Sequence, residues 1–309
     1  MIVFNELSDI KGISPTVVAL GNFDGIHKGH QELLKAAIED AKERGLKSAV
    51  FTFSNHPKNE LSGYQVVKNI IYDKEKLEIM NETGIDYLFS IRFDSEIQHM
   101  DPITFIKKLL IKSFKVSEAI CGFNYRFGFK AEGNHVLLKQ EGLRKGFDVR
   151  IIDAVTINET VVSSTLIRNL ISDGSVDCVR DFMGRNYAIR GEVIHGNELG
   201  RTLGFPTANI WADDNMILPP NGVYVTYCII DGNRYDSITN IGNKPTIGEF
   251  QKNLETNVLD MELNLYGKTI TVEFLEMIRT EQKFGTIDAL KKQIALDSNI
   301  AREYHENIK

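Results

Sequence analysis

The chain of 309 residues has few cysteines: Cys121, Cys178 and Cys228. They are odd in number, scattered, and form no C-x-x-C pair. That excludes a disulfide framework and a cysteine-held zinc site, and it fits a reducing compartment, the cytoplasm. No apolar run approaches the roughly 18 residues of a membrane span, so no membrane association is expected. The opening Met1 to Glu6 lacks a basic stretch and a long apolar core, so no signal peptide is expected. There is no basic excess: 36 lysines and arginines stand against 42 aspartates and glutamates, a net charge of −6 with an isoelectric point near 5.7. Without a global positive field no nucleic-acid partner is expected, and a nucleotide or other small anion needs a local site. Internal repeats and low-complexity linkers are also missing. The remainder is ordinary globular composition, 42% hydrophobic and 25% charged, in a chain long enough for two domains.

What is present is organised around Gly21-Asn22-Phe23-Asp24-Gly25-Ile26-His27-Lys28-Gly29-His30. The β-branched run Thr16 to Leu20 before it reads as a buried strand. After it, apolar residues at 33, 34, 37, 38 and 41 recur at helical spacing over Gln31 to Gly45, where a glycine suits a helix end. In an open α/β sheet a strand–turn–helix of this kind lies at the carboxyl edge, where ligands bind. The helix N-terminus offers free N–H groups and a positive dipole end to phosphate. His27 and His30 fall near the first turn on nearly one side, and Gly25 and Gly29 permit close approach. Imidazoles placed there can donate hydrogen bonds to oxygens that gain charge during transfer.

Strands are expected at 47–53, 87–93, 118–122 and 147–155. Helices are expected around 74–83, from Asp101-Pro102 onward with Ile103, Phe105, Ile106, Leu109 and Leu110 on one buried face, and at 136–145. This alternation implies a mostly parallel, doubly wound sheet. Two more loops fall at strand ends: Cys121 to Gly128, and Val162-Ser163-Ser164-Thr165-Leu166-Ile167-Arg168, which runs into a helix. Ser163 or Ser164 is a natural N-cap, and Arg168 lies one turn in, able to reach back to a phosphate with its planar fork.

Near Met183-Gly184-Arg185-Asn186 helical patterning gives way to short β-like runs separated by glycine. Strands are expected at 187–194, 222–230, 234–241, 256–265 and 269–278, with hairpin turns at 231–233 and 266–268. Together they suggest a small antiparallel barrel. A last helix, 287–304, would lay Leu290, Ile294, Ile300 and Tyr304 against it. Chemistry concentrates in Gly191 to Asn209. Gly191, Gly196, Gly200 and Gly204 make a loop able to fold around phosphates, though it is no Walker A loop because GK[ST] is missing. Thr207 offers a hydroxyl and Asn209 an amide oxygen, both hard ligands acceptable to Mg²⁺.

The GxFDGxHxGH string resembles the HxGH signature of nucleotidyltransferases in the form found in bacterial FAD synthetases, two-domain enzymes that join riboflavin kinase to FMN adenylyltransferase. Cys121–Gly128 and Ser163–Arg168 resemble that family's other adenylyltransferase motifs, and Phe53-Ser54-Asn55-His56-Pro57 its TFxPHP segment. Gly200–Asn209 resembles its kinase signature, Asn240–Thr246 its NIGxxPT loop, Glu255–Asp260 with Leu265-Tyr266-Gly267 the strand of its catalytic glutamate, and Ile278–Phe284 its IRxExKF segment. The motifs run in order over nearly the whole chain.

The resemblance implies a Rossmann-like nucleotidyltransferase domain with a doubly wound parallel sheet over residues 1–184, and a small antiparallel β-barrel with a terminal helix over 185–309. It implies ATP-dependent phosphorylation of riboflavin to FMN, then adenylyl transfer from ATP to FMN, both with Mg²⁺. His27, His30, Arg168 and Glu255 are carried over as catalytic, Glu255 as base for the ribityl hydroxyl. Gly21, Asn22, Phe23, Asp24, Gly29, Ser164 and Thr165 are carried over to ATP in the first domain, His56 and Asn124 to its flavin. Gly196, Gly200, Arg201, Gly204, Asn243 and Arg279 go to the ligands of the kinase, and Thr207 and Asn209 to the metal. Asn124 stands where many relatives carry aspartate, and Asn55 where they carry proline, which alters loop stiffness more than chemistry. Rival readings are an enzyme with one half active, or a flavin-binding regulator without turnover.

Overall fold

The structure, a computed structural model, describes residues 1–195, 204–246, 249–261 and 263–308. It divides into two compact units, Met1–Ser164 and Thr165–Lys309.

The first unit holds a six-stranded sheet of β1 (Ile2–Phe4), β2 (Thr16–Leu20), β3 (Lys47–Phe53), β4 (Tyr87–Ile91), β5 (Val116–Gly122) and β6 (Asp148–Ile152). The order is β1-β4-β3-β2-β5-β6, and every pairing is parallel. β2 lies inside the sheet and all five of its residues are buried, which is why it reads as an unbroken apolar run. Helices α1 (Lys28–Arg44), α2 (Pro57–Ser62), α3 (Asp73–Glu82) and α4 (His135–Lys145) connect the strands. The segment expected to be one helix from Asp101 starts as α-helix at Pro102–Phe105 and continues as a π-helix over Ile106–Ser113, closed by Phe114 N–H donating to Leu109 O at 2.8 Å. The wider turn still buries Phe105, Ile106, Leu109 and Leu110.

The second unit starts with α5 (Ser164–Asp173), after its first residue, and α6 (Val176–Met183), which packs on the barrel strands. The barrel comprises β7 (Tyr187–Glu192), β8 (Ala208–Trp211), β9 (Gly222–Ile230), β10 (Asn233–Thr246), β11 (Glu249–Val258) and β12 (Thr269–Thr280). All pairings are antiparallel, in the order β7-β12-β9-β10-β11-β8, and a bridge between Ile194 and Asn209 brings the first and last strands together. Tyr187, Tyr224 and Phe274 fill the interior beside a hydroxyl ladder. In that ladder Thr226 Oγ1 hydrogen-bonds with Ser237 Oγ and Thr239 Oγ1, both at 2.8 Å, and Thr239 Oγ1 with Thr256 Oγ1 at 2.9 Å. All four residues are buried.

Two expectations for this unit are corrected. The strand expected at 256–265 is β11, ending at Val258, after which Asp260 turns with φ 58°. The alternation Leu259, Met261, Leu263, Leu265 mimics a strand, yet Met261 and Leu263 are exposed. β8 was not anticipated, being only four residues long. The terminal helix α7 (Ile287–Asn307) lays Tyr304 against the barrel core and turns Leu290 and Ile294 to the cavity beside it, as expected, whereas Ile300 is exposed and Asp297, Ser298, Ala301 and His305 are buried. The hydrophobic pattern misplaces only Ile300, and it does not show the polar part of this face, where Asp297 pairs with Arg279.

Candidate functional site

The turn after β2 holds an unfavourable backbone. Phe23, Gly25 and Ile26 have φ of 50°, 82° and 37°. A β-branched residue in this region costs on the order of 1–3 kcal/mol and persists only where its surroundings over-determine it. Four ties do so. Thr52 Oγ1 donates to Asn22 O at 2.9 Å, and Gln31 Nε2 to Ile26 O at 2.9 Å. The buried Asp24 accepts from Ile70 N–H at 3.0 Å, and Ser164 Oγ donates to Asp24 O at 2.9 Å. Gly21 N–H donates to Phe51 O at 3.2 Å, and Asn22 is exposed. Ser164 therefore spends its hydroxyl on the turn and is itself the first residue of α5, which leaves Ser163, of the two serines expected as N-cap, at the capping position.

His27 supplies the cap of α1, which begins at Lys28, three residues before the expected start at Gln31. Its Nδ1 accepts from His30 N–H at 3.3 Å, which leaves Nε2 to carry the proton of the neutral ring. The two imidazoles stack at 3.6 Å between centroids and 14° between planes, and Phe23 covers His30 at 5.1 Å. A Cβ on Gly29 would come within 3.2 Å of the His27 ring, so glycine is what lets the ring lie over the helix start. Burial, then the nearby charges of His27 and Lys76, hold His30 well below the ordinary imidazole range. Its Nδ1 is buried with no hydrogen-bond partner among the described residues. A buried ring nitrogen left open beside a helix N-terminus suits an anionic oxygen.

Around the same sheet edge, His56 caps α2 by accepting from Lys58 N–H at 3.2 Å. Asn55 docks on the backbone after β4: its Oδ1 accepts from Phe93 N–H at 2.7 Å and its Nδ2 donates to Phe93 O at 3.1 Å. The asparagine thus makes a two-point tether that proline could not. Asn124 is exposed in the turn after β5, and burial pushes the Tyr125 phenol up. Thr165 and Arg168 belong to α5 in the second unit, Thr165 exposed and Arg168 half-buried.

In the second unit a cavity of about 510 Å³ opens between the barrel and α7, lined among others by Thr207, Asn240, Glu255, Asn257 and Arg279. Glu255 sits opposite Asn209 on β8 and opposite Asn240 on β10. Asn253 Nδ2 donates to Asn209 Oδ1 at 3.0 Å and to Glu255 Oε1 at 3.1 Å. Asn209 Nδ2 in turn faces Thr207 O and Oγ1 at 3.3 and 3.4 Å. Arg279 lines the cavity, but its guanidinium is bound to the buried Asp297 of α7, with Nε at 3.1 and 3.0 Å from the two carboxylate oxygens and Nη2 at 2.8 Å from one. Gly204 has φ 90°, and Asn243 is exposed on β10. Gly196, Gly200 and Arg201 lie outside the described residues. Sequence reasoning missed Asn253, Asn257 and Asp297. The only signal for the first two was their spacing of two from Glu255 on one strand face.

Known families match both units. The FAD synthetase model covers residues 10–166 and the riboflavin kinase model residues 183–305. Fold and matches together define a two-part transferase. Relatives named bifunctional riboflavin kinase/FMN adenylyltransferase are 35% identical over 93% of this chain and 92% of theirs in Escherichia coli K12, and 34% identical over 95% and 94% in Bacillus subtilis 168. The chain belongs to the family of bifunctional riboflavin kinase/FMN adenylyltransferases. A crystal structure described as a macrolide-efflux protein from Streptococcus pneumoniae superposes with a TM-score of 0.89 at 33% identity, covering 97% of this chain and 98% of that one. Among the described residues here, no helix is long and apolar enough to cross a membrane.

Proposed function

We propose that the chain phosphorylates riboflavin in its barrel unit, residues 185–309, and adenylylates the resulting FMN in the nucleotidyltransferase part, residues 1–184. The single observation that carries this is the agreement of two separate family models with two separate units, each with its own constellation of polar side chains. In the first reaction the ribityl 5′-hydroxyl oxygen attacks the γ-phosphorus of ATP and ADP leaves. Glu255 takes the hydroxyl proton. In the second, an FMN phosphate oxygen attacks the α-phosphorus of ATP and pyrophosphate leaves. That nucleophile is already an anion, so His27 and His30 serve by positioning and by hydrogen bonds to oxygens gaining charge. Thr165 and Arg168 are assigned to phosphate, Asn124 and His56 to the flavin.

The donor set of Thr207 and Asn209, two neutral oxygens beside a carboxylate, suits a hard cation such as Mg²⁺. A bound Mg²⁺ supplies charge neutralisation for the phosphates. The three free cysteines, Cys121 and Cys228 among them buried, support a reducing compartment, and the enzyme is assigned to the cytoplasm on that ground.

The test is one chromatogram. Purified protein is incubated with riboflavin, ATP and Mg²⁺, and the flavins are separated by fluorescence. FAD appearing after FMN is the expected result. Tight flavin binding without turnover of riboflavin or of added FMN would replace this reading with that of a carrier.

A further inference from the structure

We propose that Asn253 is a positioning residue for the phosphorylation step, orienting the Glu255 carboxylate against the Asn209 amide. The inference rests on the reading of Glu255 as the base.

Asn253 is 1% exposed, and its amide has a split fate. Its nitrogen serves two acceptors, Asn209 Oδ1 at 3.0 Å and Glu255 Oε1 at 3.1 Å. Its own Oδ1 is buried with no hydrogen-bond partner among the described residues. Buried amide oxygens are seldom left so, and each such atom asks for a reason. Turning the amide over would set its oxygen against the Glu255 carboxylate, which donates nothing when ionised. The carboxylate therefore dictates the amide's orientation, and the orphaned oxygen is the cost of keeping both N–H bonds on the two facing side chains. Gly242 is the residue opposite Asn253 on β10 and Trp211 the one opposite on β8, so neither neighbour in register carries a side-chain acceptor that competes for the amide N–H groups.

The arrangement ties three strand positions into one unit. Thr207 and Asn209 are linked through the Asn209 amide, and Asn209 and Glu255 through Asn253. A glutamate on a strand has three rotatable bonds before its oxygens. One donor fixed on the same strand and tied also to the next removes most of that freedom. Groups that orient the residues at a reacting centre commonly change its rate about 10–100-fold when removed.

The experiment compares Asn253→Ala, Asn253→Asp and Asn253→Gln in the full chain. Asparagine and aspartate have nearly one shape, but aspartate offers no N–H. Glutamine keeps the donors on a longer arm. Rates of FMN formation, KM for riboflavin and thermal midpoints are measured, with FAD formation from added FMN as an internal standard. The alanine and aspartate variants are expected to lower kcat about 10–100-fold, with KM for riboflavin within about twofold and with part of kcat regained in the glutamine variant. An aspartate variant with wild-type kcat overturns the proposal, because shape alone would then suffice. So does an alanine variant within about twofold of wild type, or loss of folding in both, which would make the role structural. Glu255→Gln is run alongside. If it keeps wild-type FMN formation the base assignment itself fails. If it loses FMN formation while the Asn253 variants do not, only the positioning role fails.

Discussion

Asn209 and Glu255 stand directly opposite each other in the β8–β11 ladder, the amide on one strand and the carboxylate on the next. Asn240 flanks Glu255 on its other side, and the guanidinium of Arg279 in the same cavity is already met by Asp297. Neutral amides thus stand opposite the carboxylate on both flanking strands, and a carboxylate in this cavity can accept a proton from a substrate hydroxyl.

Glu255→Gln is expected to reduce FMN formation from riboflavin by about 10²–10⁴-fold, the usual worth of a positioned base, and to leave FAD formation from added FMN unchanged. Separate assays of the two steps on the same preparation decide it. If both steps fell together in a folded protein, the two-site assignment would be wrong.

His30→Ala is expected to do the reverse, abolishing FAD formation and sparing FMN formation. The ring carries a buried Nδ1 with no hydrogen-bond partner among the described residues and stacks on His27 at 3.6 Å, so its loss removes a polar group from the site and the stacking that supports the cap of α1. A variant that lost FMN formation instead would interchange the roles of the two units.

The depressed pKa of His30 predicts a dependence of stability on pH. In the unfolded chain the imidazole titrates near about 6.5, whereas in the folded chain it does so well below. Between those values the unfolded state binds more protons, so stability is full above about 6.5 and declines as pH falls toward the folded pKa. The thermal midpoint should therefore drop more steeply from pH 7 to pH 5 in wild type than in His30→Asn. Equal slopes would remove His30 as the source. ATP beside the ring opposes the charges of His27 and Lys76, so calorimetry in buffers of different ionisation enthalpy should show proton uptake on binding.

Asn55→Ala removes both side-chain bonds to the Phe93 backbone and should cost about 1 kcal/mol, read as a lower unfolding midpoint in urea. Asn55→Pro should cost no less, since proline offers neither an acceptor nor a donor there. A neutral result would make the tether incidental.

Asp297→Ala leaves the Arg279 guanidinium without its buried partner and should destabilise the second unit by about 3 kcal/mol. The loss should appear in the melting of the barrel rather than of the parallel sheet, resolved by following the single tryptophan, Trp211.

The strand–turn–helix around His27 and His30 was legible because hydrophobic periodicity changes there from a buried run to helical spacing, with glycines marking the join. The positive φ of Ile26 was not, since nothing local in an isoleucine announces that Asp24, Thr52, Ser164 and Gln31 will hold it there. Glu255 could be picked out through its motif, but Asn253 could not. Its importance comes from strand parity and from a cross-strand partner, and both depend on β8, a strand too short to leave a pattern. The polar part of the inward face of α7 was missed for a related reason: an ion pair between Asp297 and Arg279 hides from any scale that equates burial with hydrophobicity.

Within the hydroxyl row Ser237 Oγ also donates to Thr226 O at 3.0 Å, and with one proton per hydroxyl this sets one sense along the row: Thr226 donates to Ser237, Thr239 to Thr226 and Thr256 to Thr239. Replacing a single threonine by valine strands a neighbour, whereas exchanging the whole row for aliphatics of the same shape strands nothing. Evolution along this row should then be concerted: family members ought to carry the hydroxyls as a set or lack them as a set, a written parity check running across three strands of the barrel.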